Sequence, residues 1–106
     1  MLSFIFSLVL GLLPHQTISG ILPSGDAHTY AISGFAKDTS IIVVVSGNGR
    51  GNIDCYLIRN RQVVASDDDN TDSCKLQANY LGGEKLMIVN NGWATDKFSV
   101  FVSGGK

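Results

Sequence analysis

The sequence predicts an all-β protein, a single antiparallel sandwich of seven to eight strands. Three observations lead there. Short apolar runs recur about every 8–12 residues, separated by Gly- and Asn-rich turns. No window of a dozen residues carries a helical repeat. The only two cysteines, Cys55 and Cys74, each fall in an alternating run, where a strand presents one apolar face.

The first element is not a strand in this reading. Met1 to Leu13 is almost wholly apolar, and no charged side chain precedes Asp26. Such a run is too short to span a membrane and suits the apolar region of a secretory signal. Thr17 and Ser19 are the small residues of a cleavage site after Ser19. The expectation is therefore a signal peptide over 1–19 and a domain over 20–106. The run has no Lys or Arg at its start, so a buried first strand or a membrane anchor is the competing reading.

The strands follow in order. His28 to Phe35 alternates through Tyr30 and Ile32. Ile41 to Val45 is an unbroken β-branched and apolar run, as a strand covered on both faces shows. Ser46 to Asn52 is a loop with three glycines. Ile53 to Arg59 alternates, Asn60-Arg61 turns, and Gln62 to Ser66 returns, which is a hairpin signal. Ser73–Ala78, Glu84–Asn90 and Lys97–Ser103 complete the set.

Two cysteines in an exported chain are most simply a disulfide. Ile53, Cys55 and Leu57 share one strand face, and Cys74, Leu76 and Ala78 share another. Both cysteines thus sit in apolar rows, where they can meet in the core. The alternatives are two reduced core thiols and a pair of metal ligands. No further ligands of the kind a thiolate zinc site needs are evident.

His28-Thr29-Tyr30, Gly34-Phe35, Val43-Val44-Val45-Ser46-Gly47, Asn52-Ile53-Asp54-Cys55-Tyr56-Leu57, Val64-Ala65-Ser66-Asp67 and Lys97-Phe98-Ser99-Val100 fall in a familiar order. Over about residues 25–103 the chain resembles the bacterial pre-peptidase C-terminal domains, and in particular small exported members with two cysteines. The resemblance implies a jelly-roll sandwich, an accessory role beside exported enzymes, and in some cases bound calcium. The expectation is a domain standing alone, without the catalytic domain such modules usually accompany; the chain also departs from the pattern in having Leu81-Gly82-Gly83-Glu84-Lys85 before its penultimate strand.

The chemistry-bearing residues are few. Asp67, Asp68, Asp69 and Asp72 place four of the nine carboxylates within six residues. With Asp54 they are the candidate ligands of calcium, which takes 6–8 hard oxygens. The turn is not an EF-hand, since Asp72 stands where that loop has Gly. The competing reading is a solvated turn that blocks edge-to-edge pairing. Trp93, Asn91 and Tyr80, aromatics in polar turns and a neighbouring amide, are the candidate binding surface.

Catalytic residues are not expected. After removal of 1–19, His28 is the single histidine, and no Gly-x-Ser-x-Gly elbow is present. Adjacent carboxylates on one turn do not flank a cleft as a glycosidase pair must. The Gly47–Gly51 loop is followed by no helix, so it lacks the dipole of a phosphate site. A net charge of −1 argues against nucleic acid as partner. The expected protein is a secreted or periplasmic non-catalytic monomer. It binds a protein or a polysaccharide through its end loops and is stabilised by calcium. The alternative is a structural envelope or surface domain without a ligand.

Overall fold

The structure, a computed structural model, describes residues 11–49, 51–69 and 71–104. Nine strands are present among them: β1 Gly11–Leu12, β2 Thr17–Leu22, β3 Ala27–Ile32, β4 Thr39–Ser46, β5 Ile53–Arg59, β6 Gln62–Asp67, β7 Ser73–Tyr80, β8 Lys85–Asn90 and β9 Asp96–Gly104. They form two sheets, one ordered β1-β3-β8-β5-β6 and the other β2-β9-β4-β7.

The topology of β2 to β9 is that of one long hairpin rolled up. Its tip is the β5–β6 turn at Asn60-Arg61, where both residues have positive φ (54° and 65°), as a type I′ connection requires. Away from the tip, β4 pairs with β7, β3 with β8, and β2 with β9, all antiparallel. Rolling then brings β4 beside β9 and β5 beside β8. This is the expected jelly-roll arrangement of eight strands. β1 adds a two-residue parallel pairing to β3.

Inward positions alternate as the pleat demands. Ile41, Val43 and Val45 of β4 are fully buried, as are Ile53 and Leu57 of β5 and Val100 and Val102 of β9. The β4 run was expected to be covered on both faces, but Val44 points outward and is exposed. The outer face of its sheet meets solvent, so β-branched residues there reflect strand propensity rather than burial. Phe98 lies over Gly20, where a Cβ would come within 2.7 Å of its ring. Its ring meets those of His28 and Tyr30 at 6.2 and 6.4 Å. His28 is thus a half-buried member of an aromatic cluster.

Cys55 and Cys74 form a disulfide with Cα atoms 6.1 Å apart. Cys55 is on β5 and Cys74 on β7, so the bridge ties one sheet to the other across the core. Closing a loop of this length contributes on the order of 3 kcal/mol in the chain-entropy view.

The described N-terminal residues add strands to both sheets. Residues 1–19 were expected outside the sandwich or packed on it as an extra helix; their described part, from residue 11 on, instead contributes the strand β1 and half of β2. Thr17 to Leu22 pairs residue for residue with Phe101 to Asp96, with Ser19 opposite Ser99 in mid-strand. Leu12 and Leu22 are buried. The physical reason is the topology: β9 needs β2 on its outer side, and residues 20–106 alone supply only half of that strand. In this structure Gly11–Leu12 and Thr17–Leu22 thus take part in the two sheets. The proposed signal's apolar residues 1–10 lie outside the described residues.

A chain beginning at Gly20 loses β1, half of β2 and the burial of Leu12 and Ile18. At roughly 1.5–3 kcal/mol per buried aliphatic side chain, it is expected to be at least about 3 kcal/mol less stable than the full chain in denaturant unfolding. Equal stability would place the domain boundary at Ser19.

Candidate functional site

Four loops gather at one end of the sandwich, formed by residues 23–26, 47–52, 68–72 and 91–95. Backbone bonds tie them together: Gly25 N to Asn90 O at 2.8 Å, Asn91 N to Asn52 O at 2.8 Å, Gly47 N to Asp72 O at 2.8 Å, and Ile53 N to Thr71 O at 3.2 Å. The Asn90 side chain is fully buried beneath them. Its Nδ2 donates to Leu22 O (2.9 Å) and Ala94 O (2.8 Å), and its Oδ1 accepts from Gly92 N (2.9 Å). The 91–95 turn is therefore held firmly, and at its tip Trp93 is 90% exposed.

Beneath these loops two carboxylates turn inward. Asp96, the first residue of β9, shares the inner face with Phe98, Val100 and Val102 and is 0% exposed. Its Oδ1 accepts from Asn48 N at 3.1 Å. Asp72 precedes Cys74 and Leu76 on the inward row of β7, and its Oδ2 accepts from Gly49 N at 2.7 Å. The remaining oxygens, Asp72 Oδ1 and Asp96 Oδ2, are buried and answered by no protein donor. They converge over Gly51, where a Cβ would overlap Asp96 Oδ2 and lie 2.9 Å from Asp72 Oδ1. A Cβ at Gly47 would overlap the Asp72 carboxylate. The glycines of this loop are there because the carboxylates occupy the space of their side chains. Burial, and then the neighbouring Asp72, hold the Asp96 carboxyl above its ordinary range.

The opposite end shows how this sandwich buries a carboxylate when the protein itself answers it. Glu84 is also buried, but Oε2 accepts from Leu81 N (2.8 Å) and from Arg59 Nη1 (2.8 Å), and Oε1 accepts from Gly82 N (2.8 Å). Burial pushes its carboxyl up, yet the amides and the guanidinium outweigh this and hold it below its ordinary range. All four buried side-chain oxygens without a partner among the described residues lie at the loop end: Asn52 Oδ1, Asp54 Oδ1, Asp72 Oδ1 and Asp96 Oδ2.

The five carboxylates read from the sequence as one metal set do not converge. Asp69 closes a local turn, accepting from Thr71 N (3.0 Å) and Thr71 Oγ1 (2.6 Å). Asp67 Oδ2 accepts from Lys75 N at 2.8 Å and so stitches the edge of one sheet to the other. Asp68 is exposed. Asp54 lies on the outer face of β5 and accepts from Asn91 Nδ2. Its carboxyl is raised by burial and by the charges of Asp68, Asp69 and Asp67, against the Asn91 bond. Only Asp72 turns into the sandwich, and its partner there, Asp96, was missed. Strand parity carried the signal: Asp96-x-Phe98-x-Val100 and Asp72-x-Cys74-x-Leu76 place both acids in apolar rows.

The binding set is split as well. Trp93 and Asn91 share one turn, but Tyr80 closes β7 at the far end of the sandwich. It is only 9% exposed, packs on Phe35 with ring centroids 5.7 Å apart, and donates to Ile32 O at 3.2 Å. Its phenol closes the core instead of joining Trp93. Beside the loop end an open cleft of about 810 Å³ is lined by Ser19, Ile21, Ser46, Asn48, Lys97 and Ser99 among others.

The fold is shared with solved structures. The pre-peptidase C-terminal domain of collagenase from Bacillus anthracis matches with a TM-score of 0.71 at 16% identity, covering 95% of this chain and 100% of that one. Aeromonas hydrophila PliG, a periplasmic lysozyme inhibitor of g-type lysozyme, matches with a TM-score of 0.56 at 13% identity, covering 91% of this chain and 96% of that one. No family model matches the sequence, and no curated protein does. The chain is thus a disulfide-bridged jelly-roll sandwich with the fold of a pre-peptidase C-terminal domain.

The two kinds of buried acid give opposite pH dependence. Asp96, raised in the folded state, contributes stability that is full below the unfolded pKa and is lost as pH rises through the folded one. Glu84, lowered in the folded state, contributes stability that is present above the unfolded pKa and is lost as pH falls through the folded one. In EDTA, Asp96→Asn is expected to flatten the decline of melting temperature toward neutral pH. Glu84→Gln is expected to weaken the fall on the acid side. Parallel profiles for both variants and the wild type would contradict the assignment.

Proposed function

We propose that this protein is a non-catalytic exported binding module that docks a protein partner through the loop end presenting Trp93. The observation that carries this reading is the tip of the 91–95 turn. A nearly fully exposed indole, the only Trp of the chain, stands on a backbone fixed by the buried Asn90. A large apolar side chain left in water gains nothing for folding, and a rigid aromatic anchor is what interface centres use. The fold neighbours support a role without catalysis. One is a domain appended to a collagenase, and the other is named for inhibiting a lysozyme from the periplasm. The disulfide suits the same oxidising compartment.

The proposal is tested by surface-immobilised binding and activity assays against g-type and c-type lysozymes and against a secreted collagenase catalytic unit. Dissociation constants are measured for the wild type and for Trp93→Ala. At least one of these proteins is expected to bind. Trp93→Ala should weaken that binding tenfold or more while leaving the melting temperature unchanged, since the indole packs on little. An unaltered affinity in Trp93→Ala would move the interface elsewhere. Absence of binding to any of them would favour a structural domain.

A further inference from the structure

We propose that Asp72 and Asp96 are the two carboxylate ligands of a divalent cation of the calcium type, seated at the loop end beneath Gly47, Asn48, Gly49 and Gly51. The Asp-rich turn preceding Asp72 takes no part.

The geometry is that of a prepared anionic site. One oxygen of each carboxylate is fixed by a backbone amide, Asn48 N for Asp96 and Gly49 N for Asp72. That bond orients the second oxygen of each toward the same point above Gly51. Both second oxygens are buried and unanswered, and Asp96 is wholly removed from solvent. Two ionised carboxylates cannot hydrogen-bond each other. They share a proton, or they share a cation. Leaving such charges unanswered is strongly unfavourable, because desolvation and mutual repulsion add. The ion pair among the described residues, Arg59–Glu84, is at the other end of the molecule, so no described basic side chain relieves them.

The donor set selects the ion. Among the described residues no third Asp or Glu, and no His or Cys, converges with these two. The site therefore offers two carboxylates, with neutral oxygens and water completing the shell. Zinc and copper favour nitrogen and sulfur. Calcium accepts 6–8 oxygens in irregular arrangement, and extracellular modules bind it with Kd on the order of 10⁻⁴–10⁻³ M. Two carboxylates neutralise it. In the turn, by contrast, Asp67 and Asp69 already spend oxygens on Lys75 N and Thr71, and Asp68 faces water.

The test is a set of thermal melts on the full chain after EDTA treatment, across about 0.1–10 mM calcium chloride or magnesium chloride, with equilibrium dialysis against radioactive calcium. For the wild type, calcium is expected to raise the melting temperature by roughly 5 °C or more at saturation, magnesium by less, with one ion bound per chain. Asp96→Asn should melt at or above the wild type in EDTA and show no calcium response. Asp72→Asn should lose the response too, and Asp68→Asn with Asp69→Asn should keep it in full. A flat wild-type response with no ion retained in dialysis would overturn the proposal in favour of a shared proton. So would a response that survives in both Asp72→Asn and Asp96→Asn, or one lost on changing Asp68 and Asp69. Should either single variant fail to fold, the wild-type dialysis stoichiometry and the turn variant still decide.

Discussion

Both ends of this sandwich are closed by carboxylates buried against loop amides, and the character of each end follows from whether the protein itself answers the charge. At the Glu84 end, two amides and a guanidinium surround the acid. That end is a finished structural cap, with Tyr80 and Phe35 packed beside it. At the other end, Asp72 and Asp96 each take one amide and hold one oxygen toward the other. A buried acid is tolerated only when it is paired, so the loop end is left with an unmet electrostatic demand. Functional sites are where such demands are kept.

The rest of the scaffold holds that end in place. Cys74 lies two residues past Asp72, and its bridge to Cys55 fixes the start of β7 against the start of β5. β9, which begins with Asp96, is clamped between β2 and β4. The two acids thus reach the same point on the inner face from the strands that flank β4, with little freedom to separate. The Trp93 turn hangs from the same end through Asn90 and from the Asn91–Asn52 bond.

Much of this was legible in the sequence. Seven strands, the Asn60-Arg61 turn and the cross-core disulfide followed from alternation and parity, because inward rows such as Ile53-x-Cys55-x-Leu57 are set by the pleat alone. The eighth strand was not. Thr17 to Leu22 is small and half polar, as an edge strand is, and it follows an apolar run that reads as an export signal. Only the pairing with β9 identifies it. At the site, the clustering of Asp67 to Asp72 along the chain drew attention to a turn from which only Asp72 reaches the inner pair with Asp96. Asp96 lies 24 positions beyond Asp72 and reaches it only through the β4–β7 and β4–β9 ladders. Tyr80 failed for the converse reason: a polar turn follows it, but its own position is inward.

The central claim is that the buried Asp96 and the half-buried Asp72 turn covered carboxylate oxygens toward each other with no protein donor between them. It is tested most directly by carbon-13 NMR of the Asp side-chain carboxyl groups in cation-free protein, followed through pH. The account predicts that the Asp96 carbon titrates above the ordinary carboxylate range, and that adding calcium at neutral pH shifts the Asp72 and Asp96 carbons while leaving those of Asp68 and Asp69 in place. An Asp96 carbon that titrates in the ordinary range and ignores calcium would contradict it.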